Sequence, residues 1–164
     1  MTVLWTPAYI AIGSNLDDPH LQVQSAFDCL ANLRATRLIA RAHLYRTRPL
    51  GAEPQPDFVN SMAGVLTRLS ARELLIELKA LERSIGREQP VVRWGPRRID
   101  FDISVFGDQV IAEDDLTVPH PGVPHRNFVL YPLADIAPTL LIPQLGRVSD
   151  LFGRVDASGI ELIA

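Results

Sequence analysis

Cysteine is almost absent from this sequence: Cys29 is the single one among 164 residues. An intrachain disulfide is therefore excluded, and chains without disulfides are typical of a reducing compartment, so we expect the cytoplasm. No apolar run approaches the roughly 20 residues that a bilayer span needs. No basic segment precedes the apolar stretch near the N-terminus. The sequence therefore predicts neither a membrane span nor a signal peptide.

Basic residues are also too few for a nucleic-acid or membrane-surface binder. Lysine and arginine number 16 against 19 aspartates and glutamates, a net charge of -3, whereas such binders usually carry a basic excess. We therefore expect neither kind of partner. The exception is local, because residues 82–98 hold five arginines and only two acids. A basic island on an acidic chain indicates a local anion site.

Hydrophobic residues, in contrast, are plentiful at 47% of the chain, which is enough for a core. The length fits one domain, which we expect to span residues 1–164. A helix is predicted to start after Ser70, which forms a capping box with Glu73, and to end at Gly86. Pro19 opens another helix. Strands are predicted at residues 9–12, 36–47, 58–69, 98–106 and 109–111, and a short helix at 128–136.

This order of elements favours an α+β fold of the ferredoxin-like sandwich type. We expect a mostly antiparallel sheet with helices on one face and a short C-terminal helical extension. Several α+β folds share the order, so the order alone does not distinguish among them.

Two aspartates alternate with apolar residues in the strand predicted at 98–106. Because successive side chains of a strand point to opposite faces, Asp100 and Asp102 share one face, ~6.5–7 Å apart. The core-facing set is expected to be Ile99, Phe101, Ile103 and Val105. Paired carboxylates suit magnesium, which prefers oxygen ligands. The alternative is an ordinary half-buried strand with a polar outer face.

The residues around this strand favour a nucleotide–magnesium site. Residues 93–98 read Arg-Trp-Gly-Pro-Arg-Arg; arginine recognises phosphate with two donors, and Trp94 offers a flat face for a heterocycle. A solvated arginine cluster is the alternative. His120, held between two prolines, is placed to donate to a phosphate, although a lone histidine is more often structural.

Five segments of the chain resemble, in order and spacing, the motifs of the 6-hydroxymethyl-7,8-dihydropterin pyrophosphokinase family. The resemblance covers nearly the whole chain. The segments are Tyr-Ile-Ala-Ile-Gly-Ser-Asn-Leu at 9–16, Tyr-Arg-Thr-Arg-Pro-Leu-Gly at 45–51, Asp-Phe-Val-Asn at 57–60, Arg-Trp-Gly-Pro-Arg-Arg-Ile-Asp-Phe-Asp at 93–102 and Thr-Val-Pro-His at 117–120.

The resemblance implies an ATP-dependent pyrophosphokinase, or diphosphotransferase, of folate biosynthesis with a ferredoxin-like fold. Its partners would be two small molecules, ATP and 6-hydroxymethyl-7,8-dihydropterin, together with two Mg²⁺ ions. We expect a monomer. The loop at residues 87–97 is expected to close on ATP.

The resemblance also implies roles for individual residues. Asp100 and Asp102 would hold the metal ions. The catalytic set would be Asp100, Asp102, Arg97 and Arg87. The ATP-binding set would be His120, Arg97, Arg87, Glu82, Trp94, Arg126, Thr117 and Ile103. The pterin-binding set would be Thr47, Pro49, Leu50, Gly51, Phe58, Asn60, Trp94, Phe128 and Asp100.

The chain departs from the family pattern after Gly86. The family usually carries a second basic residue two positions after the arginine matched by Arg87, whereas this chain has Gln89 followed by Pro90. Either Arg93 or Arg98 substitutes, or turnover is slower. A tyrosine is also common at the position of Phe58, where stacking survives without the hydroxyl.

Two other functions are consistent with parts of this pattern. The altered loop favours a pterin- and nucleotide-binding protein with impaired catalysis, although the retained aspartates argue against it. Ferredoxin-like sheets also bind single-stranded RNA through aromatics. The consensus aromatic–glycine signature for that function is missing, and the net charge is negative.

Overall fold

The computed structural model describes residues 4–49, 51, 54–86 and 99–164. Within these ranges the chain forms ten strands and four helices. In order they are β1 (Thr6–Ser14), α1 (Pro19–Ala31), β2 (Thr36–Arg41), β3 (Tyr45–Thr47), β4 (Phe58–Thr67), α2 (Ala71–Ile85), β5 (Asp100–Phe106), β6 (Ile111–Glu113), β7 (Leu116–Val118), α3 (Asn127–Ile136), β8 (Leu141–Ile142), β9 (Gly146–Arg147), α4 (Val148–Phe152) and β10 (Ile160–Leu162).

The main sheet has the strand order β10-β3-β4-β1-β5, and β2 pairs with β4 beside this path. Its strand pairs are antiparallel throughout the described ranges. The predicted α+β class with a mostly antiparallel sheet is therefore confirmed. No helix within the described residues is long and apolar enough to cross a membrane.

One face of the sheet packs against α1 and α2. Ile10 and Ile12 of β1 are buried there with Leu74 and Leu78 of α2. Helix α2 begins at the predicted capping box, in which Ser70 and Glu73 exchange side-chain and backbone hydrogen bonds, and it ends at Gly86 in the left-handed conformation. These local signals explain why its predicted bounds are correct.

The opposite face packs against α3, which corresponds to the short helix predicted at 128–136, and against α4, which was not predicted from the sequence. Its core includes Met62 of β4 with Leu130 and Leu133 of α3, all fully buried. Helices therefore cover both faces of the sheet, with α3 and α4 on the face that α1 and α2 leave open. This second face carries the candidate site.

A β-bulge in β5 overturns one prediction about side-chain direction. Ile103 pairs with Ile10 and Val105 pairs with Tyr9, so Ser104 is the extra residue. Ile103 belongs to the core under α1 and α2, whereas Val105 belongs to the core under α3. The prediction that Val105 faces the same way as Ile103 is therefore wrong, because strict alternation ends at the bulge.

The strand predicted at 36–47 is divided in two. Between β2 and β3 the Ala42 N–H still donates to the Met62 carbonyl, but side chains take part in the other hydrogen bonds of residues 42 and 43. The Ser61 hydroxyl donates to the carbonyls of Ala42 and His43, and the His43 N–H donates to the Asp135 carboxylate. The short strand predicted at 109–111 lies instead at Ile111–Glu113 and pairs with β7.

Candidate functional site

A cavity of about 280 Å³ opens on the second face, where β1, β3, β4 and β5 meet the start of α3. It joins residues from segments that are far apart in the sequence. The lining residues are Ala11, Ile12, Gly13, Thr47, Arg48, Phe58, Asn60, Asp100, Asp102, Ser104, His120, Arg126, Phe128 and Val129.

Two carboxylates form one wall of this cavity. Asp100 lies opposite Gly13 and Asp102 lies opposite Ala11 on β1, so both point to the second face, as predicted. Each is half-buried, and Phe101 between them is fully buried on the other face. Two hard oxygen donors on one strand face, open to a cavity, match what magnesium accepts from a protein. No cluster of three metal-ligating side chains occurs within the described ranges.

Glu82 lies behind this strand rather than in the cavity. Its side chain on α2 is buried, and Oε2 accepts a 2.9 Å hydrogen bond from the Phe101 N–H. Lys79 donates to the same carboxylate at 3.3 Å. Because the Phe101 N–H lies between the two aspartates in sequence, Glu82 fixes the backbone that carries them.

His120 lines the cavity beside the carboxylates. Its backbone N–H donates to the Ser104 carbonyl at 2.9 Å, and its Nδ1 accepts from the Gly122 N–H at 3.0 Å. Burial lowers the pKa of His120, the positive charge of Arg126 lowers it further, and Asp100 partly opposes them. With Nδ1 occupied as an acceptor, the neutral ring carries its proton on Nε2, which makes it an uncharged donor.

Arg126 adds a fixed positive charge at the N-cap of α3. Its Cζ lies 5.7 Å from the Phe128 ring centroid, within the range of a cation–π contact. Its side chain packs over Gly122, where an added Cβ would lie 2.7 Å from the Arg126 Cδ. The cation and the helix N-terminus together favour an anionic group at this end of the cavity.

The adjoining part of the lining is suited to a flat heterocycle. Phe58 and Phe128 both contribute to it, and the Asn60 amide donates to the Thr47 hydroxyl. The missing side chain of Gly13 provides room, since a Cβ there would lie 2.9 Å from Asn60 Oδ1 and 3.9 Å from the Phe58 ring. Asn60 thus presents an oxygen and a remaining N–H hydrogen at the edge of an aromatic slot.

The cavity collects eight of the predicted site residues: Thr47, Phe58, Asn60, Asp100, Asp102, His120, Arg126 and Phe128. Five others are described but lie outside this lining: Glu82, Ile103, Thr117, Pro49 and Gly51. Ile103 is buried in the core under α1 and α2, and Thr117 is exposed on β7. The predictions for Leu50, Arg87, Trp94 and Arg97, and for the loop at 87–97, lie outside the described residues.

Sequence reasoning missed six lining residues: Ala11, Ile12, Gly13, Arg48, Ser104 and Val129. Five of these had a signal. Ala11, Ile12 and Gly13 belong to the motif at 9–16 and Arg48 belongs to the motif at 45–51, both of which carry the resemblance. Ser104 follows Asp102 at the same two-residue spacing. Val129 follows a predicted residue, but nothing in its own pattern marks it.

The fold and this cavity define a class: an α+β domain whose cavity is lined by two aromatic rings and an amide together with two carboxylates, a histidine and an arginine. The family model for 7,8-dihydro-6-hydroxymethylpterin-pyrophosphokinase matches residues 9–138. The chain belongs to this family.

Two relatives are similar over most of their length. One from Pseudomonas aeruginosa is 44% identical over 153 residues, which cover 93% of this chain and 94% of the relative. One from Haemophilus influenzae is 40% identical over 144 residues, covering 88% and 89%. Both are named 2-amino-4-hydroxy-6-hydroxymethyldihydropteridine pyrophosphokinase.

Solved structures agree on the fold. The crystal structure of Plasmodium falciparum HPPK-DHPS wild type with SDX-DHP superposes with a TM-score of 0.70 at 15% identity. The match covers 92% of this chain and 44% of that longer one.

Proposed function

We propose that this chain transfers pyrophosphate from ATP to 6-hydroxymethyl-7,8-dihydropterin, giving AMP and the dihydropterin diphosphate, in folate biosynthesis. Membership in the pyrophosphokinase family supports the reaction. The observation that carries it is that one cavity is lined both by Phe58, Phe128 and the Asn60 amide and by Asp100, Asp102, His120 and Arg126.

In this proposal the pterin occupies the aromatic slot. Its ring stacks between Phe58 and Phe128, and its amide-like edge bonds to Asn60. Asn60 is pre-oriented because its amide already donates to Thr47. The chain after Thr47, including Pro49, Leu50 and Gly51, completes the slot. The hydroxymethyl group then points along the cavity toward Asp100.

The triphosphate lies beside Arg126 and His120. His120 donates its Nε2 proton to a phosphate oxygen without adding a charge, and Arg126 neutralises charge on the transferring group. Contacts from Arg87, Arg97, Trp94, Glu82, Thr117 and Ile103 remain predictions of the family resemblance.

Asp100 and Asp102 would hold the two predicted magnesium ions. Bound there, magnesium would supply Lewis-acid stabilisation of the phosphate oxygens. The residues that line the cavity align the pterin hydroxyl oxygen with the β-phosphorus of ATP. The new oxygen–phosphorus bond forms as the bond from the β-phosphorus to the AMP oxygen breaks, AMP leaves, and the hydroxyl proton passes to solvent. As in phosphoryl transfer generally, alignment and charge stabilisation supply the catalysis, and the proposal includes no covalent enzyme intermediate.

A second candidate is a family member that binds both ligands but transfers poorly. The observation that favours it is the pair Gln89 and Pro90, which stand where the family usually has a cation. One arginine that stabilises the transition state is worth ~10³–10⁵ in rate in related reactions.

Three further properties remain predictions from the sequence: a single domain over residues 1–164, a monomeric state and a cytoplasmic location.

The test is AMP release from ATP, magnesium and 6-hydroxymethyl-7,8-dihydropterin, with each component omitted in turn. The proposal expects AMP only when all three are present. Binding of both substrates by calorimetry without AMP would favour the second candidate, and Gln89→Arg would then be expected to restore turnover. Absence of pterin binding would overturn both.

A further inference from the structure

Asn127 is the first residue of α3 and lies between two residues that line the cavity, Arg126 and Phe128. Its own side chain is directed to another part of the chain. The Asn127 amide nitrogen donates to the carbonyls of Asp156 and Ser158, each at 2.8 Å. Both amide hydrogens are therefore used to hold the segment that leads into β10.

That segment is shaped to receive the amide. The Ser158 N–H donates to the Asp156 side chain at 2.9 Å, which closes a local turn of the kind that aspartate favours. Gly159 follows with φ +72°, a backbone conformation that glycine adopts readily. The turn thus presents two carbonyls to one side chain and then directs the chain into β10.

Strand β10 in turn pairs with β3, and Thr47 of β3 and the adjacent Arg48 both belong to the cavity lining. Ile160 pairs with Thr47, and the Arg48 N–H donates to the Gly159 carbonyl at 3.3 Å. Thr47 accepts a hydrogen bond from Asn60. The wall formed by Thr47 and Asn60 is therefore tied, through β10 and the turn, to the helix start that carries Phe128.

We propose that Asn127 is a positioning residue that clamps the two walls of the aromatic slot at the correct separation for the pterin. The inference rests on the proposed function, because it names the pterin as the ligand whose binding the clamp supports. A flat ring stacked between two walls needs both at a fixed spacing. Loosening one wall weakens stacking and the hydrogen bonds to Asn60 together.

The test uses two substitutions at one position. Asn127→Ala removes both hydrogen bonds. Asn127→Asp keeps the size but directs a carboxylate at two carbonyls. If Asn127 served only the helix start, aspartate would be tolerated or favourable there because acidic groups are favoured at helix N-termini. The clamp instead predicts that both variants lose pterin affinity.

We expect the dissociation constant for the pterin to rise about tenfold in both variants, as expected for the loss of two neutral hydrogen bonds. The dissociation constant for a non-hydrolysable ATP analogue should change less than the pterin constant. Hydrogen exchange at the Arg48 amide, which bonds to Gly159, should become faster.

Asn32→Ala is the matched control. The Asn32 amide donates to the Asp28 carbonyl at 2.9 Å at the end of α1, away from the cavity lining. This variant should leave the affinity for the pterin and the rate of hydrogen exchange at the Arg48 amide unchanged. Wild-type pterin affinity in Asn127→Asp, or weakened affinity with unchanged Arg48 exchange, would overturn the clamp. If the wild-type protein bound no pterin, the proposed function would fail, and Arg48 exchange in the variants would still decide whether Asn127 holds β10 to β3.

Discussion

The Glu82 carboxylate accepts a 2.9 Å hydrogen bond from the backbone N–H of Phe101, the residue between Asp100 and Asp102. The contact crosses from α2 to β5 and is buried, with Glu82 only 2% exposed. A helix side chain thereby fixes the strand backbone that presents both carboxylates to the cavity. Local sequence patterns do not reveal such a contact, because its two partners belong to different elements.

The first prediction concerns this contact. Glu82→Ala leaves the buried Phe101 N–H without its acceptor, which should lower the free energy of unfolding by about 2 kcal/mol. Glu82→Gln keeps an acceptor oxygen and should lower it by less. Urea unfolding measures both values. A Glu82→Gln variant with intact stability but strongly weakened ATP binding would favour a direct nucleotide contact instead.

Glu77→Ala on the same helix is the control for that experiment. Glu77 pairs with Arg34 at 2.8 Å, and the Arg34 side chain is 58% exposed. Exposed ion pairs contribute little, so this variant should stay within about 1 kcal/mol of the wild type. A Glu82→Ala variant no less stable than Glu77→Ala would contradict the first prediction.

The second prediction concerns Gly13. In Gly13→Ala the new Cβ would lie 2.9 Å from Asn60 Oδ1, so the amide must move away from its position beside Thr47. Pterin affinity should fall about tenfold or more, since overpacking of this kind typically costs ~1–3 kcal/mol. Calorimetry with the pterin measures the effect. Gly153→Ala, whose nearest atoms would be 3.6 Å away, should bind the pterin normally.

The third prediction concerns the pKa of His120. Burial and Arg126 lower it, and Asp100 raises it. Arg126→Gln should therefore raise the pKa of His120, whereas Asp100→Asn should lower it further. NMR titration of the imidazole without magnesium would measure both shifts. Shifts of the same sign in the two variants would show that the local charges are not arranged around His120 as described.

The lowered pKa of His120 also has a consequence for stability. The folded protein binds the His120 proton less readily than the unfolded chain does, because the pKa is lowered on folding. The contribution of this group to the free energy of unfolding therefore declines as the pH falls below the ordinary histidine pKa of about 6.5. In His120→Gln, the free energy of unfolding measured in urea should fall less than in the wild type as the pH is lowered from 7 to below about 6.5.

The elements that the sequence predicted well are those with local causes. Helix α2 follows from a capping box and an apolar stripe within one segment, and its bounds are correct. At the break between β2 and β3, the His43 N–H donates to Asp135, which is 92 residues away in the sequence. The bulge at Ser104 depends on the register with β1. Neither partner can be identified from the patterning of one strand.

The features of the candidate site likewise fall into those with local causes and those that depend on contacts between distant segments. The alternation that places Asp100 and Asp102 on one face is a property of a single strand, and it is confirmed up to the bulge. The two flanking prolines drew attention to His120 within its own segment, whereas the family resemblance supplied Phe58 and Asn60. The separation of these three residues in the sequence gives no sign that they line one cavity. The contribution of Asn127 and β10 was missed, because two carbonyls in a distant turn leave no mark on the sequence around α3.

The last prediction concerns the proposed metal ligands. Asp102→Asn keeps the shape of the side chain but removes one of two carboxylates that share a strand face. Transfer should be abolished, because a neutral amide is a much poorer magnesium ligand than a carboxylate. The fold should remain intact, since the substitution is isosteric and Asp102 is only half-buried. AMP release and thermal unfolding measure the two effects separately.

A binding measurement separates this loss from a defect elsewhere in the cavity. In the wild type, an ATP analogue should stabilise the protein more with magnesium than without it, because a ligand that binds the folded state raises its stability. Asp102→Asn should lose that magnesium-dependent increment. Asp114→Asn, an exposed aspartate in the turn between β6 and β7, should retain it. An Asp102→Asn variant that keeps both its activity and the magnesium increment would refute the metal assignment and move the search for ligands away from β5.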